Sequence, residues 1–132
     1  MSFRDLLDHG DPAIAVVGAT DDHGKYGATI YRDLKRKGFR VFAVNPNRAT
    51  VDGDPAYPSL DSLPVRPDIV NIVVPPDQTY RVLQRSRDLG LMRVWVQPGA
   101  EDRQVLEYLD EHDFEYLANA CIMVQSRVRA VD

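Results

Sequence analysis

The sequence predicts an α/β fold: a doubly wound sheet of five parallel strands with helices on both faces, in three layers. Two observations lead to it. Short apolar runs rich in β-branched residues alternate with amphipathic stretches along the 132 residues, as expected for strands buried on both faces and connected by helices. The connections are short, and right-handed crossovers return each strand to the same sheet. We expect the strand order 3-2-1-4-5.

The strands and helices follow from these two patterns. The five runs predicted to be strands are Ala13–Val17, Arg40–Val44, residues 68–74, Arg93–Val96 and Glu115–Leu117. Residues 28–37, 77–89 and 101–112 carry apolar side chains at helical spacing, and the first two stretches end at a glycine suited to a left-handed cap. The predicted terminal helices are Phe3–His9 and residues 122–130. Residues 45–67, dense in Pro, Asp and Gly, are expected to form turns.

Length, charge and cysteine content limit the classes of function. A chain of 132 residues suits one domain, residues 1–132. The formal net charge of −4 argues against nucleic acid or an anionic membrane as partner. With no long apolar run for a signal region or a membrane span, we expect a cytoplasmic protein. The single cysteine, Cys121, excludes an internal disulfide and a cysteine-rich metal site.

The loop after the first strand is the first candidate binding element, because ligands of such sheets bind outside the carboxyl ends of the strands. Gly18 permits a sharp turn and Gly27 stands where the next helix should begin, so that the two could cradle a pyrophosphate. The spacing is not the dinucleotide fingerprint, because Thr20 occupies the third position, where the fingerprint has its second glycine. Alternatively, Gly18 only ends the strand and Gly27 packs against it.

The loop after the second strand argues against NAD. An NAD site has a carboxylate there for the ribose hydroxyls, whereas this loop reads Asn45-Pro46-Asn47-Arg48. Arg48 would suit a ribose phosphate, as in NADP or the 3′-phosphate of coenzyme A (CoA). The alternative is a solvated surface arginine.

Two further loops have features of a ligand site. Pro75 and Pro76 form a stiff turn without N–H donors, an apolar wall against which an adenine could rest. A helix start accounts for Pro76 equally well. Gln97-Pro98-Gly99-Ala100 precedes a predicted helix and would offer polar contacts to a pantetheine or a sugar, whereas Trp95 is expected in the core.

No catalytic or metal-binding set emerges from the sequence. The three histidines are scattered and lack metal-ligand spacing. Asp21 and Asp22 are interpreted as turn formers. Cys121 has no evident base for a nucleophilic role, so that a buried, inert thiol is expected.

Seven motifs carry a resemblance to a known family. In chain order they are Val17-Gly18-Ala19-Thr20, Lys25-Tyr26-Gly27, Val44-Asn45-Pro46, Tyr57-Pro58-Ser59-Leu60, Val74-Pro75-Pro76, Val94-Trp95-Val96-Gln97-Pro98-Gly99 and Asn119-Ala120-Cys121. Together they resemble the small stand-alone CoA-binding proteins, which are similar to the N-terminal domain of the succinyl-CoA synthetase α-subunit. The resemblance covers residues 11–127 and implies a single Rossmann-like CoA-binding domain. It includes no counterpart of the synthetase's ligase part, so acyl-CoA ligation by this chain alone is not expected.

The resemblance also implies a ligand and its contacts. The ligand would be CoA or an acyl-CoA. The residues implied around its phosphates are Gly18, Ala19, Thr20, Lys25, Tyr26 and Gly27. Those implied near the adenosine 3′-phosphate are Asn45, Pro46 and Arg48, and those beside the adenine are Val74, Pro75 and Pro76. Toward the pantetheine end it implies Gln97, Gly99, Asn119 and Cys121.

Our first hypothesis is therefore a module that binds CoA or an acyl-CoA without catalysis of its own. The alternatives are an NADP-dependent oxidoreductase and a regulatory subunit with a vestigial nucleotide pocket. The expected partner is a small-molecule nucleotide. Apolar residues near 122–131 are compatible with a homodimer or with a protein partner not identified by the sequence.

Overall fold

A seven-stranded sheet with helices on both faces forms the protein in the computed structural model, which describes residues 2–128. The strands are β1 (Ala13–Val17), β2 (Arg40–Val44), β3 (Thr50–Val51), β4 (Asp54–Tyr57), β5 (Ile69–Ile72), β6 (Arg93–Val96) and β7 (Glu115–Leu117). The helices are α1 (Phe3–His9), α2 (Tyr26–Arg36), α3 (Pro76–Asp88), α4 (Arg103–Glu111) and α5 (Ile122–Gln125). A short 3₁₀ turn, Leu60–Ser62, follows β4.

The strand order is β3-β4-β2-β1-β5-β6-β7. All neighbouring pairs are parallel except β3 and β4, which are antiparallel. β1 lies at the centre of the sheet, and all five of its residues are buried. A strand covered on both faces needs a continuous apolar run rather than an alternating one, which its sequence Ala-Ile-Ala-Val-Val provides.

Two apolar cores lie on opposite faces of the sheet. Ile14 and Val16 of β1 belong to the core under α1, α2 and α5, whereas Ala15 and Val17 belong to the core under α3 and α4. This division follows from the alternation of side chains along a strand. Trp95 is 1% exposed in the first core, which confirms its predicted place.

The predicted α/β class and the helices on both faces are confirmed, but the prediction of five strands is wrong because β3 and β4 were missed. They lie in the stretch 45–67 that was expected to be irregular. Their two-residue turn is Asp52-Gly53, with φ of 51° and 79°, the left-handed pair that hairpin turns of this length use.

The predicted order 3-2-1-4-5 is also wrong as assigned. The run predicted as third strand, residues 68–74, forms the shorter β5 and pairs with β1 and β6. The position beyond β2 belongs instead to β4, which pairs with it in parallel. Counted over the parallel strands alone, the order is therefore 3-2-1-4-5-6, with β4 as the third strand.

Helix bounds differ from the predictions mainly at three ends. One is the start of α4, at Arg103 rather than residue 101, because the Asp102 side chain accepts from the N–H of Val105 as the N-cap. α1 has its predicted bounds, and a capping box between Ser2 and Asp5 satisfies its first turn. α2 begins at Tyr26, two residues before the predicted start. The helix predicted at 122–130 ends at Gln125, while residues 129–130 lie outside the described part. No helix within residues 2–128 combines the length and the apolar composition that crossing a membrane requires.

Candidate functional site

A cleft of about 800 Å³ opens at the carboxyl ends of the central strands. The segments that follow β1, β2, β4, β5 and β6 line it, together with one face of α3. Its position is the one expected for ligands of a doubly wound sheet. Its volume lies within the range of about 300–1000 Å³ that is typical of small-molecule sites.

The two glycines of the first loop bring α2 into close contact with the end of β1. Gly18 has a φ of +104°, which favours glycine, and an added Cβ there would lie 2.9 Å from Val74 Cγ1. A Cβ on Gly27 would lie only 2.0 Å from the carbonyl oxygen of Gly18. Gly27 thus packs against Gly18, as one interpretation predicts, and both glycines line the cleft, as the other requires.

The N-terminus of α2 is open toward this cleft. Its N-cap, Lys25, makes no side-chain capping bond, and its first turn contains no acidic residue. Tyr26 and Gly27, the first two helical residues, line the cleft. The first N–H groups of a helix carry partial positive charge and have no partner within the helix, so this end suits an anion.

Hydrogen bonds shape the loop before α2. The Asp22 N–H donates to Thr20 Oγ1 at 3.1 Å, and the Gly24 N–H donates to Asp22 Oδ1 at 3.1 Å. Asp22 therefore forms the turn, as predicted. Asp21 acts differently, because its Oδ1 accepts from the N–H of Asp52 at 2.7 Å and so ties this loop to the β3–β4 turn.

Asn45 connects the loops that follow β1 and β2. Its Nδ2 donates to the carbonyl oxygen of Ala19 at 2.9 Å, and its Oδ1 accepts from the N–H of Asn47 at 2.8 Å. Asn45 and Pro46 line the cleft. Ala19 is fully buried and does not line the cleft.

The structure does not bring Arg48 to the cleft. Its Nη1 lies 3.9 Å from Asp21 Oδ2, and the residue is not part of the cleft lining. Both side chains of this ion pair are partly exposed, at 37% and 44%. The arrangement corresponds to the surface arginine of the alternative interpretation.

The two prolines after β5 have different places. Val74 and Pro75 line the cleft, whereas Pro76 is the first residue of α3 and does not. The helix-start interpretation therefore accounts for Pro76. Thr79 Oγ1 donates to the carbonyl oxygens of Val74 and Pro75, which stabilises this turn.

Gln97 is a structural residue beside the cleft rather than part of its lining. It is 2% exposed. Its Oε1 accepts from Asn71 Nδ2 at 3.1 Å and from the N–H of Ile122 at 2.9 Å, and its Nε2 donates to Cys121 Sγ at 3.3 Å. These bonds join β5, the end of β6 and the start of α5.

Of the four residues predicted toward the pantetheine end, Gly99 lines the cleft and the other three do not. Asn119 adopts a φ of 61°. Cys121 was expected to be buried, but it is only half-buried. Its sulfur accepts the Gln97 bond described above.

Sequence reasoning missed two groups of residues that line the cleft. The missed lining residues on α3 are Gln78, Arg81, Val82 and Arg85, and those after β4 are Pro58, Ser59 and Leu60. The α3 residues have the i, i+3, i+4, i+7 spacing of one helix face, which was the available signal. The second group forms part of a motif that carried the family resemblance but was assigned no contact.

The charged residues of the cleft are all basic. Lys25, Arg81 and Arg85 line it, and none of the described lining residues is Asp, Glu, His or Cys. Arg85 forms a two-pronged ion pair with Asp61, in which Nε lies 2.8 Å from Oδ1 and Nη2 contacts Oδ2. This contact lowers the pKa of the Asp61 carboxyl below its ordinary value. The cleft therefore favours an anionic ligand.

Within residues 2–128, no three or more His, Cys, Asp or Glu side chains lie close enough together to hold a metal ion.

Comparison with known proteins gives one family match. The profile of the family described as CoA binding domain matches residues 12–127. The ADP-forming acetate–CoA ligase I of Archaeoglobus fulgidus is 42% identical over 119 residues, which are 83% of this chain and 17% of the ligase. The chain spans 17% to 27% of the length of the first three curated relatives it matches.

Solved structures share the fold. A conserved hypothetical protein from Pyrococcus furiosus superimposes with a TM-score of 0.84 and 38% identity, over 87% of this chain and 99% of that one. A dinucleotide-forming acetyl-coenzyme A synthetase of Ca. Korarchaeum cryptofilum, in complex with phosphate and ADP, gives a TM-score of 0.69 and 26% identity. That match covers 90% of this chain and 27% of the synthetase.

Proposed function

The chain belongs to the CoA binding domain family, and on that premise we propose that it binds CoA or an acyl-CoA in the cleft at the carboxyl ends of the sheet, without catalysis of its own. The observation that carries the proposal is the charge of this cleft, whose ionised lining residues are Lys25, Arg81 and Arg85. CoA has a pyrophosphate and a 3′-phosphate, so that a site without carboxylates avoids repulsion from either group.

The pyrophosphate would lie at the loop between β1 and α2. Three features support this position: the bare backbone of Gly18 and Gly27, the uncapped start of α2, and the ammonium group of Lys25. Backbone N–H groups at a helix N-terminus and one lysine are a recurring combination for phosphate binding. Thr20, which belongs to the same loop and lines the cleft, adds a hydroxyl.

The adenine would rest against the apolar part of the lining. Val74 and Pro75 form one side, and Pro46 and Leu60 lie on the side of β2 and β4. Tyr26, 66% exposed at the mouth of the cleft, offers an aromatic face. Flat apolar surfaces of this kind suit a purine ring, because they bury its faces while its edge stays in solvent.

The side chains that line the cleft support binding without catalysis. The described lining contains no His, Asp, Glu or Cys that could act as base or nucleophile beside the ligand. Cys121 and Gln97 are engaged with each other away from the lining. The acyl transfer of the ligase relatives would then require another part or another chain.

The test is thermal denaturation of the purified protein with CoA, acetyl-CoA, NADPH or no addition. CoA at a hundredfold excess over its Kd should stabilise the folded state by about 2.7 kcal/mol. Lys25→Gln should reduce this shift. Arg36→Gln, an equal change of charge at the far end of α2 and outside the cleft lining, should not.

The alternatives give different results. Stabilisation by NADPH but not by CoA would favour an oxidoreductase and contradict the proposal. No response to any nucleotide would favour a regulatory subunit with a vestigial pocket. Native mass spectrometry of freshly purified protein adds an independent readout, because a tightly bound CoA would raise the mass of the intact protein.

A further inference from the structure

One face of α3 forms a basic wall along the cleft. Gln78, Arg81, Val82 and Arg85 line the cleft from this helix, and their spacing puts them on one face. At about 1.5 Å per residue, the wall extends roughly 10 Å along the helix axis. It is therefore long enough to meet a part of the ligand other than the pyrophosphate.

The ion pair of Arg85 locates this wall relative to the strands. Arg85 holds Asp61, which lies in the 3₁₀ turn directly after β4. β4 is the neighbour of β2 on the side away from β1. The Arg85 end of the wall therefore lies on the β2–β4 side of the cleft, where nucleotides bound to sheets of this kind have their adenosine ribose.

Arg81 is the uncompensated charge of the wall. It is exposed and makes no hydrogen bond or ion pair with any residue in the range 2–128. Arg85, in contrast, shares its charge with Asp61 and, at 3.7 Å, with Asp88. A free guanidinium beside a cleft lined by no carboxylate among its described residues is available to an incoming anion.

We propose that Arg81, with Arg85 beside it, binds a phosphate monoester on the ligand's ribose, which in CoA is the 3′-phosphate. The inference rests on the proposed function and assigns this phosphate to α3 rather than to Arg48, which is paired with Asp21 outside the cleft lining. A guanidinium suits the group because its planar donors match two phosphate oxygens at once. Arg81 is then the residue that distinguishes CoA from dephospho-CoA.

The test measures CoA and dephospho-CoA affinities by isothermal titration calorimetry for the wild type, Arg81→Gln and Arg87→Gln. The wild type should prefer CoA. Arg81→Gln should lower the affinity for CoA by roughly tenfold or more, the usual effect of losing a charge-assisted hydrogen bond. It should leave the affinity for dephospho-CoA within about threefold of the wild-type value. Arg87→Gln makes the same charge change on the same helix, outside the cleft lining, and should keep the preference.

The outcomes separate the two proposals. If Arg81→Gln keeps the preference for CoA, or weakens both ligands equally, the assignment of the 3′-phosphate to Arg81 is overturned while CoA binding stands. If the wild type binds neither ligand, the proposed function itself fails. NADP and NAD are then titrated into the wild type, and a preference for NADP would identify a 2′-phosphate as the group bound and would also overturn the assignment to CoA.

Discussion

Replacing Gly27 by alanine should damage both stability and ligand binding. The new Cβ would lie 2.0 Å from the carbonyl oxygen of Gly18 and would have to move about 1.4 Å to reach an ordinary contact of 3.4 Å. Both clashing atoms are fixed to backbone, so no rotamer change relieves the overlap. Overpacking of this kind costs roughly 1–3 kcal/mol, against a gain of at most about 1 kcal/mol from placing alanine rather than glycine in a helix.

Taking the middle of that cost, the net loss of about 1–2 kcal/mol corresponds to a Tm lower by roughly 4–7 °C for a chain of this length. Urea denaturation and a thermal scan both measure it. CoA affinity should fall at least about tenfold, because a shift above 1 Å moves the first N–H groups of α2 out of hydrogen-bond range. Gly24→Ala is the matched control in the same loop, since its Cβ would meet only Asp22 Oδ1, at 3.4 Å. A Gly27→Ala protein with wild-type Tm and CoA affinity would refute the argument.

Two further predictions concern buried and paired polar groups. Gln97→Leu should lower the free energy of unfolding by about 3 kcal/mol in urea denaturation, because it leaves the buried N–H of Ile122 and the amide of Asn71 without their shared acceptor. The stability contributed by Asp54 should depend on pH. Lys35 Nζ lies 2.9 Å from Asp54 Oδ2, and the Tyr31 hydroxyl donates to the same oxygen at 2.8 Å; both contacts lower the pKa of the Asp54 carboxyl. That contribution is present above the unfolded pKa and lost as pH falls through the folded one, so the difference between wild type and Asp54→Asn should shrink below about pH 4.

These two predictions have their own checks. Gln104→Leu makes the same side-chain change at an exposed position of α4 and should alter the unfolding free energy by less than about 0.5 kcal/mol. Equal losses for both glutamine variants would contradict the role given to the buried bonds. For Asp54, a constant difference between the two proteins from pH 7 to pH 2 would show that its ion pair does not contribute in the way described.

The central strands could be predicted from sequence, whereas the edge hairpin was missed. Burial on both faces forces β1 to be continuously apolar, so its five residues were recognised with the correct bounds. β3 has two residues and β4 contains Pro55, so neither has the composition of a typical strand. The Asp52-Gly53 pair is the remaining signal for this hairpin, but within a stretch dense in Pro, Asp and Gly it does not stand out from the other turn residues.

At the candidate site, backbone features were predictable and side-chain directions were not. Gly18 and Pro75 follow the carboxyl ends of β1 and β5, and Gly27 lies in the first turn of the helix after β1. The carboxyl ends of parallel strands meet at one edge whatever the packing. Arg48 and Arg81 depend on tertiary structure. The first is drawn toward Asp21, and the second faces the cleft only because α3 packs with Leu83 inward.

The central position of β1 has a consequence for folding kinetics. Its partners are distant in sequence: Ala13 pairs with Arg40, and Ile14 pairs with Ile69, about 55 residues later. Of the strand pairs described, β3–β4 alone closes a short loop. Because long loops must close before most of the sheet gains its hydrogen bonds, the chain should fold more slowly than a helical protein of its size.

During synthesis on the ribosome, β1 must also wait until its partner strand β5 has been made. At roughly 5–20 residues per second, the ribosome needs about 3–11 s to make the 55 residues between Ile14 and its partner in β5. For that time the apolar run Ala-Ile-Ala-Val-Val lacks one of its two neighbouring strands and part of the cover on both faces. A nascent chain in this state exposes unpaired strand edges, which are the surfaces that chaperones protect and that aggregation uses.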